Sequence, residues 1–337
     1  MNKQKIQIKK KLQSVSNINS IKLKHVDLFA GTGAFTLALS NIVDTVYAND
    51  ISESSKKIYD LNFTQKLTLG DINIIDPKDI PMCDILTAGP ACQPFSVAGN
   101  LKGFHDIRSN VFWKIFEILD YIRPKIVIIE NVKNFQSHDD GKTFKIITDK
   151  LEKLNYNLIY KILNTSDITG IPQNRERIYI IGFQDITLLK KFNFNFPLVP
   201  KKQIVDLLDN NVSSKYYYND TNKIHDLIQK SVTKINTVYQ YRRVYVRENK
   251  SNECPTLTAN MGTGGHNVPI ILSNKIPRKL TPRECFRFQG FPESYNLGTL
   301  SDSSLYKLSG NAISVPVVKL IADELSRILR VDHINNL

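Results

Sequence analysis

The stretch HVDLFAGTGAF, residues 25–35, decides the fold of this 337-residue chain. Its apolar run ends in the loop Gly31-Thr32-Gly33, after which residues 34–41 have helical spacing. A strand that feeds a glycine loop and then a helix begins an α/β unit, and the glycines let a ligand approach the backbone. A full GxGxxG pattern is absent, which disfavours a dinucleotide. The stretch predicts a strand, a ligand loop and a helix, in that order.

Further apolar runs alternate with helical stretches through the first half of the chain. The strand-like runs are residues 45–48, 85–88, 125–129 and 177–183, with helical spacing at 111–123 and 143–154. Because these runs are too apolar for burial on one side only, they predict an α/β fold with a parallel sheet covered on both faces. Ligands of such sheets bind at the carboxyl ends of the strands. We therefore expect the functional site at that edge.

Candidate chemical groups follow these strands. Cys92 lies in a turn after the run 85–88, where it is either an exposed nucleophile or, as lone cysteines more often are, a small buried hydrophobe. Glu130 ends an apolar strand, where a carboxylate is costly unless it donates a proton or accepts hydrogen bonds. Arg175 and Arg177 open the last strand and lie near Glu130 if that strand is antiparallel. A surface Arg–Glu cluster is the alternative, above all for Arg175.

Two aspartates extend the predicted ligand site. Asp50 comes nineteen residues after Gly31 at the end of the next strand, which is the spacing at which a carboxylate takes ribose hydroxyls. Asp71 ends a third strand-like run and is a candidate acceptor for an adenine amine. Each residue alone is as easily a turn or helix-cap residue. Together they favour an adenosine ligand without a pyrophosphate.

Charge points to a polyanionic partner. The formal net charge is +13, residues 1–24 carry seven lysines and no acid, and residues 184–277 have thirteen basic and seven acidic residues. Such an excess favours nucleic acid, although a lysine-rich solvated surface is the plain alternative.

The four cysteines form no CxxC pair, so we expect no metal site and free thiols in a reducing cytoplasm. No export signal and no membrane-spanning run is evident.

Six sequence blocks occur in the order of a known family. They are residues 27–35, 89–96, 130–132, 173–183, 283–292 and 310–312. On these blocks the chain resembles the DNA (cytosine-5)-methyltransferases of bacterial type II restriction–modification systems along roughly residues 24–325. The resemblance implies a Rossmann-like methyltransferase sheet that binds S-adenosylmethionine, together with a second, smaller DNA-recognition domain.

The resemblance also implies the domain limits and the residue roles. The expected parts are a basic arm (1–24), a catalytic domain (25–190), a target-recognition domain (191–277), a hinge (278–300) and a returning C-terminal segment (301–337). Cys92 would add to C6 of a flipped-out cytosine, Glu130 would act at N3 and Arg177 would hold O2. The expected cofactor contacts are Phe29, Gly31, Gly33, Asp50, Asp71, Ile72 and Asn311.

One residue departs from the family pattern. The family has proline immediately before the nucleophile, and this chain has Ala91. Alanine keeps the backbone carbonyl but loses the fixed φ and the restraint on Pro90. Such loosening is worth about 0.4–1 kcal/mol. We therefore expect an active but slower enzyme.

The DNA-reading part is predicted from alternation and glycines. Residues 238–247 alternate strictly, which as one strand would place Arg243, Arg247 and three tyrosines (Tyr239, Tyr241 and Tyr245) on one face. Thr256 belongs to a Thr-Leu pair that resembles one the family keeps, and Gly264 lies in a glycine-rich loop. These residues are the expected contacts to double-stranded DNA.

The resemblance implies a cytoplasmic monomer that works with a partner restriction endonuclease. A tRNA cytosine-5 methyltransferase and a non-catalytic DNA-binding protein on the same fold remain as alternatives. The basic second domain favours duplex DNA over tRNA. The joint presence of Cys92, Glu130 and Arg177 disfavours a protein without catalytic activity.

Overall fold

The computed structural model describes residues 22–90, 111–219, 224–249, 252–263 and 267–335, with side chains as far as residue 329. Most of the predicted basic arm, together with Ala91, Cys92 and Gly264, lies outside the described residues. What is expected of those positions therefore remains a prediction.

Seven of the described strands form one large sheet. The first eight strands of the chain are β1 (Leu23–Leu28), β2 (Val43–Asp50), β3 (Thr68–Leu69), β4 (Ile85–Ala88), β5 (Ile126–Val132), β6 (Asn157–Asn164), β7 (Gln173–Asn174) and β8 (Glu176–Phe183). The sheet order is β3-β2-β1-β4-β5-β8-β6, and β7 lies outside it. Strands β1 to β5 run parallel, whereas β8 is antiparallel to both β5 and β6. Because β8 is antiparallel to β5, its start with Arg177 lies at the same edge as the end of β5, as the sequence analysis required.

Helices cover both faces of this sheet. Those of the first part are α1 (Ala34–Leu39), α2 (Glu53–Asn62), α3 (Val111–Ile122), α4 (Lys142–Lys153), α5 (Thr165–Thr169) and α6 (Ile186–Lys191). Val127 and Ile129 pack on the α3–α4 side, while Ile126 and Ile128 pack on the opposite side. Because alternate residues of β5 are buried on opposite faces, the strand is apolar throughout. The predicted α/β architecture is confirmed.

A smaller antiparallel sheet follows later in the chain, in the order β10-β9-β12-β13. The remaining elements are α7 (His225–Ser231), β9 (Tyr239–Arg242), β10 (Tyr245–Glu248), β11 (Cys254–Pro255), β12 (Ile270–Ser273), β13 (Ile276–Lys279), α8 (Pro282–Phe288), α9 (Asp302–Asn311) and α10 (Val315–Asn335). Strand β11 pairs in parallel with β7. This pairing connects the segment between β10 and β12 to the residues that precede β8. Apolar residues of α10 pack against α1 on one face of the large sheet.

The predicted single strand over residues 238–247 is wrong. Residues 243 and 244 form a turn, and Arg242 pairs with Tyr245 across a hairpin. A two-residue turn reverses the chain, so counting alternate residues straight through it assigns the wrong faces. Gln240, Arg242, Tyr245 and Arg247 share one face, whereas Tyr239 packs into a buried cluster on the other.

The described contacts also bear on the expected domain limits. Phe192 and Phe194 pack with the core of the large sheet, although the recognition domain was expected to begin at residue 191. At the other limit, residue 277 falls inside β13, so the small sheet continues to Lys279. After Phe194, Ile204 is the next residue along the chain that belongs to the buried cluster around Val238 and Leu257. We therefore propose residues 203–279 as the second domain.

Candidate active site

The ends of the parallel strands meet in register at one edge of the large sheet. Leu28 is paired with Asn49 on one side and with Ala88 on the other, and Ala88 is paired with Ile129. Beyond them Val132, at the end of β5, is paired with Arg177 at the start of β8. The loops after β1, β2, β4 and β5 and the first residues of β8 therefore share this edge, as the sequence predicts.

The loop after β1 has an unusual backbone. Phe29 has φ 57°, a left-handed conformation that is uncommon for a residue with a side chain. A Cβ on Gly33 would come within 2.2 Å of the Phe63 ring, so only glycine can stand there. The hydroxyl of Tyr295 donates to the carbonyl of Thr32 over 2.7 Å, and the Thr32 hydroxyl itself is buried without a partner. The Tyr295 hydroxyl thus fixes the backbone of this loop at Thr32.

Asp50 faces this loop from the end of β2. Its carboxylate accepts from the backbone N–H of Gly31 at 2.9 Å and of Ser52 at 2.8 Å. Burial raises the pKa of Asp50, although these bonds oppose that shift. Its neighbour Ile51 exposes 69% of its surface, which places an apolar side chain beside the carboxylate. A carboxylate next to an exposed apolar surface suits the ribose and the base of a nucleoside.

Asp71 and Ile72, two further expected contacts, follow the short strand β3. Asp71 follows β3 and caps the short 3-10 helix Ile72–Ile74 through Asn73, which keeps its carboxylate at the same edge. Ile72 is only 3% exposed and packs in the core beneath the edge. Its side chain therefore offers little surface, and its expected cofactor contact remains a prediction. Ile51, beside Asp50, is an exposed apolar residue at this edge that the sequence analysis did not select.

Beneath the loop, a buried chain of hydrogen bonds joins β1, β2, β4 and α1. The Asp27 carboxylate accepts from the Thr87 hydroxyl at 2.8 Å and the Thr36 hydroxyl at 2.9 Å. His25 joins the hydroxyls of Thr87 and Thr45 at 2.8 and 2.9 Å. Burial raises the pKa of Asp27 to about 7 and lowers that of His25 to about 3. These bonds connect β1, which leads into the glycine loop, to β4, which precedes Cys92 in the sequence.

Glu130 and Arg177 form a buried pair across β5 and β8. The Nε of Arg177 lies 3.1 Å from Oε1 of Glu130, and the glutamate is 7% exposed. Burial raises the pKa of Glu130, against the opposing effects of Arg177 and Arg175. A carboxyl with a raised pKa keeps its proton to higher pH than an ordinary glutamate and can therefore serve as a proton donor. The pair can therefore offer both a proton donor and a fixed guanidinium donor.

The turn after β4 lies against this pair. The carboxylate of Glu130 is 3.7 Å from where a Cβ on Gly89 would stand, and the Asn131 amide donates to the carbonyl of Pro90 over 3.3 Å. Ile313, just beyond the end of α9, also lies against Gly89, with its Cδ1 2.9 Å from the same Cβ position. The chain thus passes Glu130 immediately before Ala91 and Cys92. Asn311 ends α9 nearby and is exposed.

Arg175 is not a surface residue, so that alternative is wrong. It is 2% exposed, and its guanidinium donates to the backbone carbonyls of Leu257, Gly310 and Ala312. These partners are 82 or more residues away in the sequence, which is why no local pattern could reveal them. Desolvation lowers the pKa of Arg175 to about 9.

The expected DNA contacts are distributed over two segments. Arg243 lies in the turn of the β9–β10 hairpin with φ 60°, and Arg247 is exposed on β10. The Thr256 hydroxyl donates to the carbonyl of Asn174 over 2.6 Å, so it docks on β7. Arg242, which sequence reasoning placed on the opposite face, is exposed beside Arg247.

Two negative findings hold for the described part of the chain. No group of three His, Cys, Asp or Glu side chains is arranged to hold a metal ion there. No described helix combines the length and apolarity that crossing a bilayer requires.

Comparison with known proteins places the chain in one family. Residues 23–327 match the family model described as C-5 cytosine-specific DNA methylase. The chain is 44% identical over 309 residues to the type II methyltransferase M.Bsp6I of Bacillus sp. (strain RFL6), covering 90% of this chain and 98% of that protein.

A second relative and a solved structure agree with this match. The chain is 37% identical over 315 residues to M.HhaI of Haemophilus parahaemolyticus, covering 89% and 93% of the two chains. The solved structure of the S. pombe Dnmt2 methyltransferase superposes with a TM-score of 0.70 at 26% identity, covering 91% of this chain and 99% of that one. The chain belongs to the C-5 cytosine-specific DNA methylase family, and its enzyme class is DNA (cytosine-5)-methyltransferase.

Proposed function

We propose that this enzyme methylates C5 of a flipped-out cytosine within a specific duplex DNA sequence, through a covalent adduct with Cys92. The observation that carries the proposal is the buried pair of Glu130 and Arg177 against the Gly89–Pro90 turn. Cys92 is two residues beyond that turn in the sequence. A nucleophile, a proton donor and a guanidinium would then converge on one base.

The chemistry requires activation of the cytosine ring, because C5 is a poor nucleophile. The Cys92 thiolate would form a bond to C6 while Glu130 donates a proton to N3, so that the electron pair moves towards C5. Arg177, which has donors only, would bind the O2 acceptor. C5 then takes the methyl group, and the sulfonium donor leaves as a neutral thioether. C5 loses its proton as Cys92 leaves with restoration of the 5,6 double bond, and N3 returns its proton to Glu130. Because C6 is inaccessible in a stacked pair, the base must leave the duplex.

S-adenosylmethionine would supply the methyl group from its sulfonium centre. Asp50 would take the ribose hydroxyls, Asp71 would accept from the adenine amine, and Ile51 would cover the base. The loop of Phe29, Gly31 and Gly33 would allow close approach of the backbone, and Asn311 would close the site. The geometry supports this assignment, because the Asp50 carboxylate is fixed beside the loop by the backbone N–H groups of Gly31 and Ser52.

The type II relatives support a role in protecting DNA from a partner restriction endonuclease. We propose that the β9–β10 hairpin and the segment around Thr256 contact the DNA. Their exposed arginines suit phosphates and base edges.

The test is methyl transfer from labelled S-adenosylmethionine to unmethylated bacterial DNA, with tRNA as the parallel substrate. We expect transfer to duplex DNA and none with Cys92→Ser. Transfer to tRNA alone would replace DNA as the substrate. Undiminished transfer by Cys92→Ser would exclude the covalent mechanism.

A further inference from the structure

We propose that Arg175 is a positioning residue that couples the DNA-recognition segment at Leu257 to the catalytic strand β8 and to the end of α9. The inference rests on the proposed function and concerns the same site. The proposed chemistry assigns no step to Arg175, although its side chain is buried and its charge acts on Glu130.

The guanidinium of Arg175 joins three segments of backbone. Nη1 donates to the carbonyl of Leu257 at 2.9 Å, and Nη2 donates to those of Gly310 and Ala312 at 3.3 and 2.7 Å. The Arg175 backbone is itself fixed, because its N–H donates to Asn164 and its carbonyl accepts from Thr165. A planar fork of donors suits several carbonyls at fixed angles better than an ammonium group does.

Two buried glutamines complete the connection. Gln173 accepts from the backbone N–H of Leu257 at 3.3 Å and donates to the carbonyl of Phe288 at 2.5 Å. Gln289 donates to the carbonyl of Ser309 at 2.7 Å. Leu257 is therefore held at both its N–H and its carbonyl by side chains of the segment that opens β8. Such a fully buried network is costly to leave half-satisfied.

The end of α9 packs tightly against the segment around Thr258. A Cβ on Gly310 would stand 2.2 Å from the backbone carbon of Thr258, so α9 and the recognition segment touch backbone to backbone. Asn311 and Ile313 follow directly, and Ile313 lies against Gly89. A displacement of Leu257 would therefore pass to the end of α9 and to the turn that precedes Cys92.

Arg175 also acts on Glu130 through its charge. The charged and titratable groups around Glu130 in the described residues are Arg177, Arg175 and Tyr179, whose hydroxyl is buried without a partner. Arg177 and Arg175 each lower the pKa of Glu130 against the effect of burial. Removal of the Arg175 charge should raise that pKa, whereas a lysine should keep it nearly unchanged.

The test compares Arg175→Lys and Arg175→Met with the wild type. With unmethylated bacterial DNA we expect kcat to fall by about 100-fold in both variants, because a small misplacement of reacting groups has that effect. The Kd of S-adenosylmethionine should stay within about twofold, as expected for a loss of positioning alone. The alkaline limb of the pH–rate profile should move to higher pH in Arg175→Met only, since Glu130 would keep its proton longer.

The matched control is Arg287→Lys. Arg287 also joins two segments, donating to the carbonyl of Leu207 and pairing with Asp209, but it makes no bond to Leu257 or α9. We expect this variant to retain its kcat. Unchanged kcat in both Arg175 variants, or equal losses in Arg287→Lys, would overturn the proposal.

Hydrogen exchange separates this inference from the proposed function. The amide of Leu257 should exchange at least tenfold faster in Arg175→Lys than in the wild type or Arg287→Lys, whether or not the protein methylates DNA. Unchanged protection of Leu257 in the folded variant would contradict the coupling. A wild type without transfer activity but with this exchange result would refute the proposed function alone.

Discussion

The carboxyl edge of the large sheet, where we propose that catalysis takes place, and the β9–β10 hairpin of the small sheet both present arginines, but they hold them differently. Arg177 is fixed by its register with Val132, its pair with Glu130 and a bond to the Glu176 carbonyl. Arg242 donates to its near neighbour Gln240, and both Arg242 and Arg247 are exposed. Reacting groups need one geometry, whereas phosphate contacts tolerate adjustable side chains. The comparison implies that substitutions at the edge change the rate and those on the hairpin change affinity.

The largest effect is expected at the edge. Glu130→Gln removes the proton donor while keeping the shape, so kcat should fall by about 10²–10⁴-fold with DNA affinity little changed. The control is Glu176→Gln, because Glu176 is a half-exposed glutamate near the start of β8 that pairs with Lys133 instead of Arg177. Single-turnover transfer and DNA titration measure the two quantities. A similar loss of rate in both variants would remove the special role of Glu130.

The hairpin should show the opposite behaviour. Arg242→Ala combined with Arg247→Ala should weaken duplex binding and reduce the salt slope of log Kd by about two, since each phosphate contact contributes about one. Cofactor affinity should be unaffected. Fluorescence anisotropy at several salt concentrations measures the slope, with Glu248→Gln on the other face as control. An unchanged slope would mean that this face does not meet phosphates.

The buried polar chain beneath the edge predicts opposing pH effects. Asp27 has a raised pKa, so its contribution to stability is lost as pH rises from about 4 to 7. His25 has a lowered pKa, so its contribution is lost as pH falls from 6.5 towards 3. In the wild type the two effects largely cancel between pH 4 and 6.5.

Single substitutions should reveal each slope. Asp27→Asn should leave the His25 effect, so that the unfolding free energy falls with acid by up to about 1.4 kcal/mol per pH unit. His25→Gln should leave the Asp27 effect, with a slope of the opposite sign. Urea unfolding at several pH values between 4.5 and 6.5 measures both. If the unfolding free energies of the two variants changed with pH in the same direction, the opposite pKa shifts of Asp27 and His25 would be contradicted.

The smallest effect is expected at residue 91. Ala91→Pro should restore the fixed φ before Cys92 and raise the rate about two- to fivefold, corresponding to about 0.4–1 kcal/mol. Ala91→Gly should change the rate in the other direction. The comparison of the three initial rates on one DNA substrate checks the prediction. Proline that is no faster than glycine would show that this position does not restrain the nucleophile.

The sequence predicted the edge well because strand periodicity and register determine it. Once β1, β4 and β5 are recognised, the residues that follow them must meet, and the antiparallel β8 adds Arg177. It failed at the hairpin, where the turn at Arg243 reverses the phase of the alternation. A turn of two residues without glycine or asparagine gives little local signal.

Long-range contacts explain the rest of what was missed. Arg175 bonds to Gly310 across 135 residues, and Tyr295 supports Thr32 across 263. The burial of Ile72 likewise depends on residues of other elements, which pack around it in one cluster. Such roles depend on which segments pack together, which no periodicity within one segment reports.

The most direct test is bisulfite sequencing of DNA from a methylation-free bacterium that expresses this protein. The wild type should produce 5-methylcytosine at one short recognition sequence across the genome, with Cys92→Ser and Glu130→Gln leaving those sites unmethylated. A wild type that is expressed and folded but leaves every cytosine unmethylated would contradict the account. Full methylation by Cys92→Ser would contradict its mechanism.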